Sequence, residues 1–216
     1  EAWTKDIKPP EYTGDDQKEG LDVVLAIDSS GSMSSNDRSD LRKTAAKMFV
    51  NKLGKRDRAS IVDFDSYATV LTSLTSDQVQ LNKAIDQINN SGGTNLSNPI
   101  SRGIDLLIKD DDSKNKYKYI ILLTDGQGSY DKIYSQRAKD NDVQIYTIGL
   151  GSGVSTNLLQ DIANDTGGKY FFASKAEELL GIYEDTASET IDYVTDSNND
   201  GISDYYTQLI YDGELI

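Results

Sequence analysis

Five oxygen-bearing side chains stand where apolar or helical segments of the sequence end or begin. Asp28, Ser30 and Ser32 follow one apolar run, Asp125 follows another, and Thr94 precedes a segment with helical spacing. Two carboxylates and three hydroxyls are hard oxygen ligands, which suit Mg²⁺, Mn²⁺ or Ca²⁺. Because hydroxyls are neutral, a cation held by this set would keep positive charge that attracts a further acidic group. The residues therefore predict a binding chemistry without a nucleophile or a proton shuttle.

An ordinary structural role is the alternative for each of these motifs. Serine and aspartate are common caps and turn residues where strands lead into helices, so one motif alone is weak support for a metal. Three motifs in order, each at the boundary of an element, favour the metal site. Asp65, near the end of another apolar run, is a weaker candidate for the rim of the same site.

Composition restricts the other chemistries. The 216 residues include no Cys and no His, which excludes thiolate and imidazole metal sites and also Cys and Ser-His nucleophiles. The net charge is −14, and a chain this acidic is a poor candidate for nucleic acid, whose phosphates require clustered Lys and Arg. No apolar run approaches the roughly 18 residues that a membrane-spanning helix needs.

A second oxygen-rich segment, 196–207, has the spacing of a calcium loop. Carboxylate or amide oxygens occupy its first, third, fifth and ninth positions, and Gly201 occupies the sixth, where the loop turns sharply. The predicted ligands are Asp196, Asn198, Asp200, the Ile202 carbonyl, Asp204 and Thr207. Thr207 stands where an acidic residue is expected, so it would offer a single oxygen or leave binding weak. The alternative is a flexible linker rich in Asp and Asn.

The elements that position these motifs follow from apolar spacing. Strands are predicted at 21–27, 59–64, 68–74, 117–123, 143–150 and 169–173, and helices at 40–53, 79–88, 99–107, 131–141, 157–165 and 176–189. The second and third strands are predicted to form a hairpin, and the other connections alternate strand with helix. This order predicts the α/β class, with a doubly wound, mainly parallel sheet and one antiparallel edge strand. Ligands of such sheets bind at the carboxyl ends of the strands, where the first three motifs fall.

Three regions are expected along the chain. Residues 1–20 are predicted to be an extended lead-in, 21–190 the α/β domain, and 191–216 an extension that carries the calcium loop. We expect the extension to be truncated. The first residue is Glu1 and not Met, so we also expect a processed or excised fragment, and the sequence shows no signal peptide.

Residues 21–189 resemble a von Willebrand factor type A (VWA) domain. The strings Asp28–Met33, Gly93–Asn95 and Thr124–Gly126 are similar to the metal-ion-dependent adhesion site (MIDAS) of that family, and the strand 145–151 is also similar. The resemblance implies a Rossmann-like sheet in which Ser30, Ser32 and Thr94 are hydroxyl ligands. Asp28 and Asp125 would act directly or through water, and a sixth position would accept an acidic residue of a partner. Segment 196–207 resembles EF-hand-like loops and, more closely, thrombospondin type 3 calcium repeats.

Together these observations predict a metal-dependent protein-binding, or adhesion, module that is not an enzyme. Its cofactors would be Mg²⁺, or Mn²⁺ or Ca²⁺, at the adhesion site and Ca²⁺ at the C-terminal loop. Its partner would be a protein that presents an acidic residue, with no nucleic acid, no direct membrane insertion and a monomeric state. Because such calcium loops fill at millimolar calcium, we expect an extracellular, secreted or surface-attached protein of bacterial origin.

Two other functions remain open at this point. One is a Mg²⁺-dependent phosphoryl-transfer enzyme with Asp28 as nucleophile, although Ser30 stands where such enzymes commonly place a second Asp. The other is an intracellular VWA assembly subunit, which loss of calcium binding by 196–207 would favour.

Overall fold

One six-stranded sheet organises the computed structural model, which describes residues 20–188 and 190. The strands are β1 (Leu21–Asp28), β2 (Arg58–Phe64), β3 (Ala68–Thr75), β4 (Tyr117–Thr124), β5 (Val143–Leu150) and β6 (Tyr170–Ala173). The helices are α1 (Met33–Asn36), α2 (Leu41–Lys52), α3 (Gln78–Asp86), α4 (Ser97–Lys109), α5 (Ile133–Lys139), α6 (Thr156–Thr166) and α7 (Leu179–Ala187). Short 3-10 turns cover Asp111–Asn115 and Ala176–Glu178.

The strands lie in the order β3-β2-β1-β4-β5-β6. Strands β2, β1, β4, β5 and β6 run parallel, and only β3 is antiparallel to its neighbour β2. The predicted fold class, a doubly wound and mainly parallel sheet with one antiparallel edge strand, is therefore confirmed.

Two hydrophobic cores cover the two faces of the sheet. In β1, which is buried along its whole length, Val23, Leu25 and Ile27 face the core formed with α2, α3 and α7. Val24 and Ala26 face the opposite core, formed with α4, α5 and α6. A strand between two helical layers must be apolar on both faces, which explains the continuous run in the sequence.

The segment after β1, to which no helix or strand was assigned from the sequence, contains a short helix. Residues Met33–Asn36 form one helical turn, α1, in which the Ser32 carbonyl accepts the N–H groups of Ser35 and Asn36 at 2.9 and 3.1 Å. The predicted final helix is also divided, because Ala176–Glu178 is a 3-10 turn and α7 begins at Leu179.

Except for Gly20, the predicted lead-in 1–20 lies outside the described residues, as does the extension 191–216.

The chain enters β1 and completes α7 at the same edge of the sheet. Leu21 begins β1 at the amino ends of the parallel strands. Helix α7 runs back along α2 to that edge, where Glu184 lies 3.6 Å from Lys52 at the end of α2. The carboxyl ends of the strands form the opposite edge. Within the described residues, no helix combines the length and the apolar character needed to cross a membrane.

Candidate metal centre

Three loops meet at the carboxyl ends of β1 and β4, which are neighbours in the sheet. Asp28 is the last residue of β1, and Asp125 directly follows β4. Backbone hydrogen bonds join the loop after β1 to the loop before α4: Gly31 N–H donates to the Gly92 carbonyl at 3.2 Å, and Ser91 N–H to the Ser29 carbonyl at 2.7 Å. Parallel pairing and these two bonds therefore place the three sequence motifs side by side.

Asp125 is the contact point for the hydroxyls of the first motif. The Ser32 hydroxyl donates to Asp125 Oδ1 at 2.7 Å, and the Ser30 hydroxyl lies 3.4 Å from the same oxygen. The two serine oxygens are 3.1 Å apart. The Asn36 side-chain amide donates to Asp125 Oδ2 at 2.8 Å, so both carboxylate oxygens have a fixed orientation.

Asp28 lies beneath these groups and is fully buried. Its Oδ1 accepts the Ser30 N–H at 2.7 Å, and its Oδ2 accepts the Thr124 hydroxyl at 2.5 Å. Burial raises the pKa of Asp28 to about 6, against the opposing effect of these hydrogen bonds, and the charge of Asp125 raises the pKa slightly further. The ionised carboxylate is therefore destabilised where it stands, and a cation close to it would relieve that cost.

Thr94 completes the set from the third loop. An added Cβ on Gly126 would lie 2.9 Å from the Thr94 hydroxyl oxygen, which places this hydroxyl against the Asp125-Gly126 backbone. Among the described residues, no hydrogen bond engages the Thr94 hydroxyl, and the residue is half-buried. A half-buried hydroxyl against the Asp125-Gly126 backbone, with no hydrogen-bond partner among the described residues, is available as a ligand.

These five side chains fit a divalent cation of the hard-oxygen class. Asp28, Ser30, Ser32, Thr94 and Asp125 would hold it, and their role as ligands stays a prediction. The described residues contain no group of three or more Asp, Glu, His or Cys side chains placed to hold a metal. The negative charge at this centre thus comes from two carboxylates, and hydroxyls would supply the rest of a cation's shell.

Two residues that position the ligands were not recognised in the sequence. Asn36 orients Asp125 across 89 residues of chain, and Thr124 binds Asp28 across 96. Thr124 stood inside a recognised motif without an assigned role, and Asn36 stood in a segment to which no element was assigned. The weaker candidate Asp65 supports the neighbouring loop: it accepts the Tyr67 N–H at 2.8 Å and the Ser91 hydroxyl at 3.3 Å.

A buried ion pair stabilises the same loops. Arg42 is fully buried, and its guanidinium donates to Asp37 at 2.7 Å and to Asp40 at 2.9 Å. The other terminal nitrogen of Arg42 donates to the Asn90 side chain at 2.6 Å. Since Asn90 precedes the Ser91-Gly92 turn, the bond joins the start of α2 to the loop that carries Thr94.

The second predicted site cannot be placed in the same way. The proposed calcium ligands from Asp196 to Thr207 lie outside the described residues, so the calcium loop remains a prediction from the sequence.

Comparison with known proteins gives a consistent picture of the fold. The calcium-activated chloride channel regulator 1 of Bos taurus is 34% identical over 158 residues, which are 71% of this chain and 17% of that protein. A von Willebrand factor type A protein from Catenulispora acidiphila superposes with a TM-score of 0.74 at 19% identity, over 81% of this chain and 43% of that chain. Proximal thread matrix protein 1 from the mussel byssus, with a zinc-occupied MIDAS motif, superposes with a TM-score of 0.69 at 24% identity, over 81% and 46%.

The chain spans less than half the length of each of these proteins. The solved structures, at these identities, show the fold alone. The family model for the von Willebrand factor type A domain matches residues 22–185, and the chain therefore belongs to the VWA domain family.

Proposed function

We propose that this chain is a cation-dependent protein-binding module whose metal, Mg²⁺ or Mn²⁺, coordinates an acidic residue of the partner. The observation that carries the proposal is the convergence of Asp28, Ser30, Ser32, Thr94 and Asp125 at one edge of the sheet. Membership of the VWA family fits a protein-interaction module. The zinc-occupied MIDAS of the mussel thread protein supports a divalent cation at the equivalent edge of this fold.

The ligand chemistry explains why the partner should contribute an acid. Five protein oxygens leave one position of a six-coordinate cation open, and only two of the five come from carboxylates. When bound, the cation supplies a Lewis-acidic contact for one further oxygen. Ser32 lies at the exposed rim of the site, so a carboxylate on another protein can approach this position from solvent.

The burial of Asp28 argues against the alternative function, a Mg²⁺-dependent phosphoryl-transfer enzyme. A nucleophilic carboxylate must be reached by its substrate, whereas Asp28 has no exposed surface. A small cation at the serine hydroxyls could still interact with Asp28 directly or through water. We therefore expect no Mg²⁺-dependent release of nitrophenol from p-nitrophenyl phosphate. Turnover that Asp28→Asn abolishes would contradict the binding function.

The setting that we propose is extracellular, with the protein secreted or attached to a bacterial surface and monomeric. It depends on the calcium loop 196–207 and its predicted millimolar affinity. Calcium titration of the full chain tests it. If 196–207 binds no calcium at millimolar concentration, the intracellular assembly subunit becomes the better interpretation.

Thr94→Ala tests the function directly, because the substitution removes one ligand that makes no hydrogen bond to the described residues. We expect Mg²⁺ binding in calorimetry to be lost or weakened at least about tenfold, with an unchanged melting temperature in EDTA. Capture of proteins from host or matrix material should require Mg²⁺, fail in EDTA and fail with Thr94→Ala. Thr44→Ala, at an exposed position of α2, is the matched control. Normal capture by Thr94→Ala would show that the site is not the interaction surface.

A further inference from the structure

A groove runs between the edge strand β3 and helix α4, beside the metal centre. Its larger part has a volume of about 410 Å³ and a smaller part about 230 Å³. Val70, Ser73 and Leu74 of β3 line the larger part, and Tyr67, Asn98 and Ser101 line the smaller part. Arg102 and Asp105 line both, so the two parts adjoin each other along α4.

The upper end of the groove adjoins the loop that carries Thr94. Asn98, in the groove wall, donates its side-chain amide to the Ser66 carbonyl at 3.0 Å. The Ser66 hydroxyl in turn accepts the Gly93 N–H at 3.0 Å. Since Gly93 is the neighbour of Thr94 in the chain, a peptide that reaches the cation has the groove as its adjoining path.

One basic side chain in the groove has no ion-pair partner among the described residues. Asp105 is neutralised by Arg137 at 2.5 Å and by Lys109 at 3.1 Å. The Asp110 carboxylate lies 3.3 Å from the Arg58 guanidinium. Arg102 is exposed and forms no ion pair or hydrogen bond with any described residue. The net charge of the chain is −14, yet the neighbouring carboxylates of the groove are already paired. The unpaired guanidinium is therefore complementary to an acidic group of another molecule.

The dimensions and the lining suit an extended peptide. Six residues of extended chain cover about 20 Å, which is the length of the β3 wall from Ala68 to Leu74. Val70 and Tyr67 are 36% and 78% exposed, and they offer apolar contacts to alternate side chains of such a peptide. Arg102 lies one helical turn below Asn98, about 6 Å along the helix axis.

We propose that the β3–α4 groove binds an extended segment of the partner next to its metal-coordinating residue, and that Arg102 pairs with a second acidic side chain in that segment. The inference rests on the proposed function, because the first acid is the one that completes the cation shell. It adds a specificity rule: the partner sequence carries two acidic residues at a fixed spacing, one for the cation and one for Arg102.

The test is a selection with displayed random 12-residue peptides on the immobilised full chain in Mg²⁺, with elution by EDTA. We expect wild-type protein to enrich peptides with two acidic residues at a fixed spacing. Selection on Arg102→Ala should keep one acid and lose the other. Arg56→Ala removes an exposed arginine at the opposite edge of the sheet, and selection on it should give the wild-type pattern.

Synthetic peptides with the enriched sequence give a quantitative check. Replacing the second acid by its amide should weaken binding to wild-type protein about 3- to 10-fold and leave binding to Arg102→Ala unchanged. Equal losses on both proteins, or the same two-acid pattern selected on Arg102→Ala, would overturn the inference and leave the proposed function intact. If wild-type protein enriches no EDTA-eluted peptide, both the inference and the proposed function fail.

Discussion

At the scale of single residues, the centre combines carboxylates of very different surroundings. Asp28 is fully buried beneath the hydroxyls, whereas Asp125 accepts hydrogen bonds from Ser32 and Asn36. The buried acid has its pKa raised to about 6, chiefly by loss of hydration. The metal-free protein therefore holds a destabilised negative charge at neutral pH, and a cation bound at the candidate site would remove that penalty.

Asp28 makes the stability of the metal-free protein depend on pH. Its folded pKa of about 6 exceeds the ordinary value of 3.8, so its favourable contribution is complete below the ordinary value and is lost as the pH rises through 6. Between pH 5 and 7 we expect wild-type protein in EDTA to lose about 1–1.5 kcal/mol of unfolding free energy relative to Asp28→Asn. Urea unfolding at both pH values measures this difference, and parallel behaviour of the two proteins would contradict it.

Gly126 keeps space for the Thr94 hydroxyl. A methyl group in Gly126→Ala would lie 2.9 Å from that oxygen and would displace it from the site. We expect Mg²⁺ affinity to fall about tenfold with little change in melting temperature. Gly31→Ala is the control in the adjoining loop, because its added carbon would meet only the Gly92 carbonyl at an ordinary 3.6 Å. Equal affinities for both variants in calorimetry would argue against a Thr94 ligand.

The type and spacing of residues sufficed to predict that the five candidate ligands lie together, because parallel strand ends meet at one edge of the sheet. The roles of Asn36 and Thr124 could not be predicted in this way. Their hydrogen bonds to the two carboxylates cross 89 and 96 residues of chain, and no local pattern encodes such a contact.

At the scale of elements, the first turn of α2 is capped by a side chain that lies several residues before the helix. The residue before the helix, Asp40, has a left-handed backbone with φ of 52° and makes no capping hydrogen bond. Asp37 caps the helix instead, accepting the N–H of Leu41 at 2.7 Å and that of Arg42 at 3.1 Å. The same carboxylate pairs with the Arg42 side chain, so the cap and the buried ion pair are one structure.

Removing Arg42 should therefore be costly. Arg42→Ala leaves Asp37 buried without its counter-charge, and we expect a loss of about 3–5 kcal/mol in the free energy of unfolding. Lys43→Ala removes a neighbouring charge that lies 3.3 Å from the half-exposed Asp40, and it should cost less than about 1 kcal/mol. Chemical denaturation of both variants tests the contrast; similar small losses would mean that the buried pair contributes little.

The larger elements followed from apolar spacing, and the small ones did not. All six strands were predicted within about one residue at each end. For β1, β2, β4 and β5 the reason is that a parallel strand covered on both faces is a continuous apolar run. Helix α1 has four residues, too few for a periodic pattern to appear. Its turn depends on the Ser32 carbonyl, which accepts two N–H groups, and this contact leaves no mark in hydrophobicity.

At the scale of the whole molecule, the chain has two predicted cation sites with different chemistry. The hydroxyl-rich centre lies at the carboxyl edge of the sheet, and the predicted calcium loop belongs to a segment in which eleven acidic residues and no basic residue follow Lys175. Since they use separate ligands, we expect them to fill independently.

Calorimetric titration of the chelator-treated chain should therefore show two classes of site. Asp200→Ala should remove calcium binding and keep Mg²⁺ binding, and Thr94→Ala should do the reverse, because neither change touches the ligands of the other site. The wild-type chain is the reference for stoichiometry. Loss of both sites in either single variant would show that they form one coupled unit.

The start of β1 and the end of α7 lie at one edge of the sheet, and the candidate metal centre lies at the other. The two points at which neighbouring segments attach to the domain are thus on the side away from the proposed partner site. If a force pulled on an attached segment and on a bound partner in opposite directions, it would act along the strands, from the amino end of β1 to the loop after Asp28. A force along buried parallel strands must break many hydrogen bonds at the same time, whereas α7 can detach one helical turn at a time. A bound partner would therefore be held through the stiffest axis of the domain, and α7 would be the first part to yield.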